Sequence, residues 1–165
     1  MKYLNITRAL IQTVTAALAV LCLSAAFTGQ AHADTIGLHT VSLHGRPYYE
    51  RTHQGGENTQ HAFNNNNFGA YYIADSGLTF GAYRNSYWHT TTYLAWTLET
   101  RAYGPFSLSA AVGFATGYKT LHGVGVLRPM ILPSLVTDLG FIRARYSVAP
   151  GKHGVFQHLS LEYKL

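Results

Sequence analysis

Two arginines two residues apart, Arg143 and Arg145, pose the first chemical question in this chain. In a β-strand they share a face, and if that face is hidden from water each needs a carboxylate, for which Glu99 and Glu162 are the candidates. Histidine is the second reactive type. Of the nine in the chain, His32 precedes a clear processing point, which leaves eight. His39 and His44 are five apart, so a regular strand puts them on opposite faces, and with no cysteine or acid beside them no metal site is expected. Ser86 follows Asn85 near a strand end, with His89 close by; by residue type alone it is a turn or surface hydroxyl. Pro129 and Pro133 stand in an otherwise strand-like run, and neither can donate to a sheet ladder. In a barrel wall each would open a gap through which a lipid chain passes sideways; elsewhere Pro129 would end a loop and Pro133 would sit on an edge or bulge.

The elements that must carry these residues are strands. From Val155 to Leu165 the chain alternates, with Val155, Leu159, Leu161, Tyr163 and Leu165 on one face and His158, Ser160, Glu162 and Lys164 on the other. Lipid outside and a polar lumen inside give that pattern. Eight candidate strands follow from such runs, near 35–45, 67–74, 77–87, 90–102, 105–118, 130–138, 140–149 and 154–165. They are separated by turn signals such as Asp75-Ser76-Gly77, Tyr103-Gly104-Pro105 and Asp138-Leu139-Gly140. Two connections, 46–66 and 119–129, are long. In strand 105–118 a bulky set (Phe106, Leu108, Ala110, Val112, Phe114, Tyr118) opposes a small one (Ser107, Ser109, Ala111, Gly113, Ala115, Gly117) that should face a ligand-holding bore. The expected fold is all-β, an eight-stranded antiparallel up-and-down transmembrane β-barrel. A soluble sandwich with its polar faces in water is the alternative.

Residues 1–33 read as a secretory signal: Lys2 and Arg8, an apolar stretch, then Ala31-His32-Ala33. The barrel domain is then 34–165. The single cysteine, Cys22, lies in the signal. Of the 12 basic residues two leave with it, so the remaining 10 face 7 acids for a net +3. That scattered excess in an exported chain argues against nucleic acid as a partner. No helix-length apolar segment remains after residue 33, so a membrane span requires a closed barrel. Many aromatics lie near strand ends, among them Tyr71, Tyr72, Tyr87, Trp88, Tyr103, Tyr118 and Tyr163, where Tyr and Trp suit the headgroup level.

The run Pro129-Met130-Ile131-Leu132-Pro133-Ser134-Leu135, then Gly140, then Arg145-Tyr146-Ser147-Val148-Ala149-Pro150-Gly151, resembles the two-proline strand and following Tyr-x-x-Pro-Gly turn of the lipid A palmitoyltransferase family of outer-membrane acyltransferases. Phe106 to Tyr118 is similar to that family's Gly- and Ala-rich strand, and Gly81-Ala82-Tyr83-Arg84-Asn85-Ser86-Tyr87 to the strand leading to its catalytic Asp-Ser pair. The resemblance covers about residues 64–165. It implies transfer of a palmitoyl-type acyl chain from a phospholipid to lipid A by a monomer in the cell outer membrane, with no cofactor. It also implies Ser86 as catalytic serine, His44 as the histidine, Arg84 or Arg46 near phosphate, and Gly113, Gly117, Pro129 and Pro133 along the substrate path. Asn85 stands where the family has aspartate. An amide can orient a histidine but cannot stabilise its charged form, an exchange that costs roughly ten-thousandfold in serine hydrolases. The family's helix before the first strand is missing. A non-catalytic small barrel that binds lipid is therefore the rival reading, and a soluble secreted β-protein holding a hydrophobic ligand a third.

Overall fold

The computed structural model describes residues 34–45, 48–51, 58–118, 127–151 and 154–165. The signal expected over 1–33 and the phosphate-binding role expected of Arg46 fall outside them. The described strands are β1 (Thr35–His44), β2 (Tyr48–Arg51), β3 (Asn58–His61), β4 (Asn66–Ile73), β5 (Leu78–Arg84), β6 (Thr90–Glu99), β7 (Phe106–Ala115), β8 (Arg128–Asp138), β9 (Ile142–Gly151) and β10 (Gly154–Lys164). Eight of them close into an antiparallel barrel in which each strand pairs with its chain neighbour and β1 pairs with both β4 and β10. Closure removes the free sheet edges, so backbone donors and acceptors are satisfied within the wall wherever the strands pair.

The period-two alternation decides which residues line the bore. On β10, His158, Ser160 and Glu162 are buried while Leu159, Leu161 and Tyr163 are exposed. On β9, Arg143, Arg145 and Ser147 are buried and Tyr146 is exposed. The outer surface is a band of Ile36, Leu38, Phe80, Leu94, Trp96 and Phe114, each about half exposed or more except Ile36 at 44%. Most of the buried side chains are polar or charged, and Ile73, Ala95, Ala115 and Val136 are buried with them. The start of β1, the end of β10 and the short turns 74–77, 100–105 and 139–141 lie at one rim, with Gly77, Gly104 and Gly140 at positive φ as those turns require. The longer connections emerge at the other rim.

Four details depart from expectation. The 46–66 connection contains an extra hairpin, in which Tyr48–Arg51 pairs with Asn58–His61 apart from the barrel. Thr40 is a bulge: the register shifts between His39 and Val41, so His39 pairs with Ser160 while Ser42 and His44 pair with His158 and Phe156. His39 and His44 therefore share the inner face, contrary to the five-residue spacing rule, because the extra residue reverses the parity of the strand. Tyr71 is buried and bonded inside the bore instead of standing at a headgroup girdle. Tyr118 also turns inward, because the chain leaves β7 after Ala115 and Gly117 adopts a positive φ that breaks the alternation.

Candidate functional site

Among the described residues the longest break in the wall lies between β8 and β9. β8 and β9 pair from Asp138↔Arg143 up to Ser134↔Ser147 and no further. Above that rung Arg128–Pro133 is paired only with β7, and Val148–Gly151 only with β10. Pro133 marks the last residue before pairing resumes, and Pro129 lies near the free end; neither has an N–H to offer a neighbour. Ser134 and Ser147 close the lowest rung of the gap with a 2.8 Å hydroxyl contact.

Behind the gap lies an internal cavity of about 520 Å³, within the roughly 300–1,000 Å³ range of small-molecule sites. Pro129, Met130, Ile131 and Leu132 contribute to its lining in succession, residues of both parities, as befits a strand whose outer edge is unpaired. On β7 the lining comes from Ala111 and Ala115. Gly113 and Gly117 instead serve the backbone: a Cβ on Gly113 would come within 2.1 Å of the Leu94 carbonyl oxygen, and one on Gly117 within 2.2 Å of that of Thr90.

Charge forms the floor. Arg145 lines the cavity, and beneath it Arg143 and Arg145 are each paired with Glu99 and Glu162. Tyr71 donates its hydroxyl to Glu162 at 2.8 Å and Arg145 donates to Ser109 at 2.6 Å. Two cations facing two anions on β6, β9 and β10 meet the requirement that buried charges be compensated. Aromatic rings form the roof. The Tyr83 and Tyr118 hydroxyls meet at 2.7 Å, Tyr118 packs edge-on against Tyr87, Tyr87 against Phe63, and Phe63 stacks on His44 at 4.0 Å.

Between roof and floor runs a chain of hydrogen bonds that sequence reasoning missed. Ser42 Oγ lies 2.8 Å from His158 Nδ1, His158 Nε2 lies 2.8 Å from His39 Nδ1, and His39 Nε2 lies 3.0 Å from the Tyr93 hydroxyl. Ser160 Oγ approaches His39 Nδ1 at 3.4 Å. His39, His158 and Ser160 line the cavity. The polar face of β10 was legible, but Ser42 joins it only through the Thr40 bulge.

Ser86, Asn85, His44 and Arg84 all lie at the long-loop rim. Asn85 is fully buried: its amide donates to Thr91 Oγ1 and the Gly117 carbonyl, both at 2.9 Å, and its oxygen accepts from the Tyr87 and His89 amides at 2.9 and 3.0 Å. This is an Asx-type organisation of the β5–β6 turn. Ser86 is buried beside it, and its carbonyl accepts from the Asn64 amide. His44 has its Nδ1 3.3 Å from Asn65 Oδ1. The structure brings Ser86 and His44 to one rim but does not join them: no hydrogen bond links the Ser86 hydroxyl to a histidine among the described residues. Arg84 falls on the outward parity of β5 and is exposed. Among the described residues no group of three or more His, Cys, Asp or Glu is arranged to hold a metal ion. In comparisons with known proteins, no protein-family model and no curated protein matches this chain.

Proposed function

We propose that this chain is an outer-membrane barrel that takes a phospholipid acyl chain sideways into its bore and transfers it to lipid A. The observation that carries the reading is the gap between β8 and β9, which opens directly onto the 520 Å³ cavity. A phospholipid tail reaches such a pocket without its headgroup leaving the membrane surface. The strand lengths, mostly 10 or 11 residues, suit a tilted span of the hydrocarbon layer, and the outward Leu, Phe and Trp side chains suit contact with lipid. Exposed Arg84 and Arg128 at the long-loop rim fit the level of phosphate groups. Acyl exchange between esters uses a nucleophile and a base and asks for neither a redox cofactor nor a metal.

A second reading, a barrel that binds lipid without chemistry, is favoured by one observation. The amide of Asn85 is spent on holding a turn, and the Ser86 beside it has no described histidine partner. Mass spectra of lipid A from cells with and without the gene, in a strain lacking other acyltransferases, separate the two. The acyltransferase reading expects one added acyl mass; unchanged lipid A with the barrel present in the outer-membrane fraction rejects it. Heat-modifiable gel mobility and membrane fractionation test the membrane placement itself, which a soluble, non-modifiable product would rule out.

A further inference from the structure

We propose that Ser42, His158 and His39 form the acyl-transfer centre, buried inside the bore rather than at the rim, and that its substrate is the ester of a long fatty acyl chain. The inference rests on the acyl-transfer reading above and names the groups that would perform it.

A serine hydroxyl bonded to an imidazole, which is in turn bonded to an orienting group, is the arrangement that activates a weak nucleophile. Among the described residues two serines reach a histidine that is itself bonded onward, and the closer contact is at Ser42, 2.8 Å from His158 Nδ1 against 3.4 Å from Ser160 to His39 Nδ1. Protons can be assigned along the whole network with both rings neutral: Ser42 O–H donates to His158 Nδ1, His158 Nε2–H to His39 Nδ1, and His39 Nε2–H to the Tyr93 oxygen. In that assignment His158 presents its lone pair to the serine, and His39 is a positioning residue that fixes the tautomer. The ring of His39 is itself held, with Tyr71, Tyr83 and His158 centroids within 5.0 Å.

Cross-strand register runs from Ser42 to His158, from His158 to Ser147, and from Ser147 to Ser134. Ser147–Ser134 is the last closed rung below the gap. The centre thus lies on the same row as the lower lip of the opening, two strand spacings or roughly 10 Å from β9. An ester admitted at that lip would meet the centre along this row. Ser42 is 1% exposed and lies behind the His158 ring that lines the cavity, so the carbonyl must press in beside that ring to be attacked.

The chemistry balances without an added reagent. Ser42 Oγ bonds to the ester carbonyl carbon as its proton passes to His158 Nδ1. The carbon–oxygen bond to glycerol then breaks, the departing alkoxide takes that proton, and the acyl group remains on Ser42. An acceptor hydroxyl gives its proton to His158 and attacks the acyl carbon, and Ser42 leaves with the proton returned. Because His39 supplies a neutral acceptor where a carboxylate would supply charge, His158 is a weak base and turnover is slow.

The test is covalent labelling of the full-length barrel, folded in detergent, with a long-chain alkyl fluorophosphonate, followed by peptide mass spectrometry. The expected result is one label, on Ser42, absent from heat-unfolded protein. His158→Ala should slow labelling by about 100-fold or more. His39→Gln should move the pH midpoint of the labelling rate, a readout that a structural role alone would leave in place. A label on another serine, or none on folded wild type, overturns the proposal whatever the variants do. The outcome is separable from that of lipid A mass: Ser42 labelling with unchanged lipid A keeps the centre and sinks the lipid A reading, whereas added acyl mass with Ser42 unlabelled does the reverse.

Discussion

Substituting Glu162 by alanine tests whether the bore is dry at its charged floor. The Glu162 side chain has no exposed surface, and it receives Arg145, the Tyr71 hydroxyl at 2.8 Å and Arg143 at 3.4 Å. Its loss leaves two guanidinium groups sharing Glu99, whose side chain is 11% exposed. An uncompensated buried charge costs about 3–5 kcal/mol, which is about two to three and a half powers of ten in the folding equilibrium. Removing Arg145 as well leaves Arg143 against Glu99, one cation to one anion. The Glu162→Ala/Arg145→Ala double variant should therefore be more stable than Glu162→Ala alone, although it has lost more contacts. By contrast the Lys164–Asp138 pair at the rim is 43% and 37% exposed, and breaking it should cost under about 1 kcal/mol. The assay is equilibrium urea unfolding in lipid vesicles, followed by tryptophan fluorescence and heat-modifiable mobility. A Glu162→Ala loss below about 1 kcal/mol, or strict additivity in the double variant, would mean that water solvates these groups and that the paired-charge floor does not exist.

Asn85→Asp restores the carboxylate of the resembled family yet should not activate the protein. It would lose the two amide donations to Thr91 and Gly117 and set an anion against the Gly117 carbonyl, lowering stability by about 1–3 kcal/mol; a gain in lipid A acylation would contradict this account of the turn. Pro133→Val returns a backbone donor to β8, and should let pairing climb past Ser134↔Ser147 and narrow the gap; slower exchange of the Ile131 amide, which faces β9 in this register, together with reduced fluorophosphonate labelling is the expected pair of readings, and unchanged exchange counts against it. Gly117→Ala must adopt φ near +80° with its Cβ 2.2 Å from the Thr90 carbonyl oxygen, a conformation that costs about 1–2 kcal/mol before the clash is relieved; an unaltered thermal midpoint in the heat-modifiable gel assay would show that the β7 exit is not built as described.

The barrel was readable from the chain because its cause is local. Alternation with a period of two is a property of neighbouring residues, and the bulky and small faces of Phe106 to Ala115 or the apolar and polar faces of β10 state the inside and outside without reference to any other strand. The partners of Arg143 and Arg145 followed from charge balance, since a hidden face carrying two cations needs two of the chain's few acids, and Glu99 and Glu162 stood on matching parities. Turn residues such as Gly77 and Gly140 gave the strand ends because only they tolerate the required φ. The prolines signalled a break in pairing, but not which partner strand they would leave open.

Tertiary structure alone decided the interior chemistry. One extra residue at Thr40 brings Ser42 and His44 onto the inner face with His39, and a bulge depends on how β1 must bend to meet β10, not on the composition of β1. Tyr71 and Tyr93 occupy the bore because closure sets them beside Glu162 and His39, partners 91 and 54 residues away along the chain. Sequence period fixes which side of a strand a residue occupies; which distant residue it then meets depends on register and barrel curvature, and those are properties of the closed sheet as a whole.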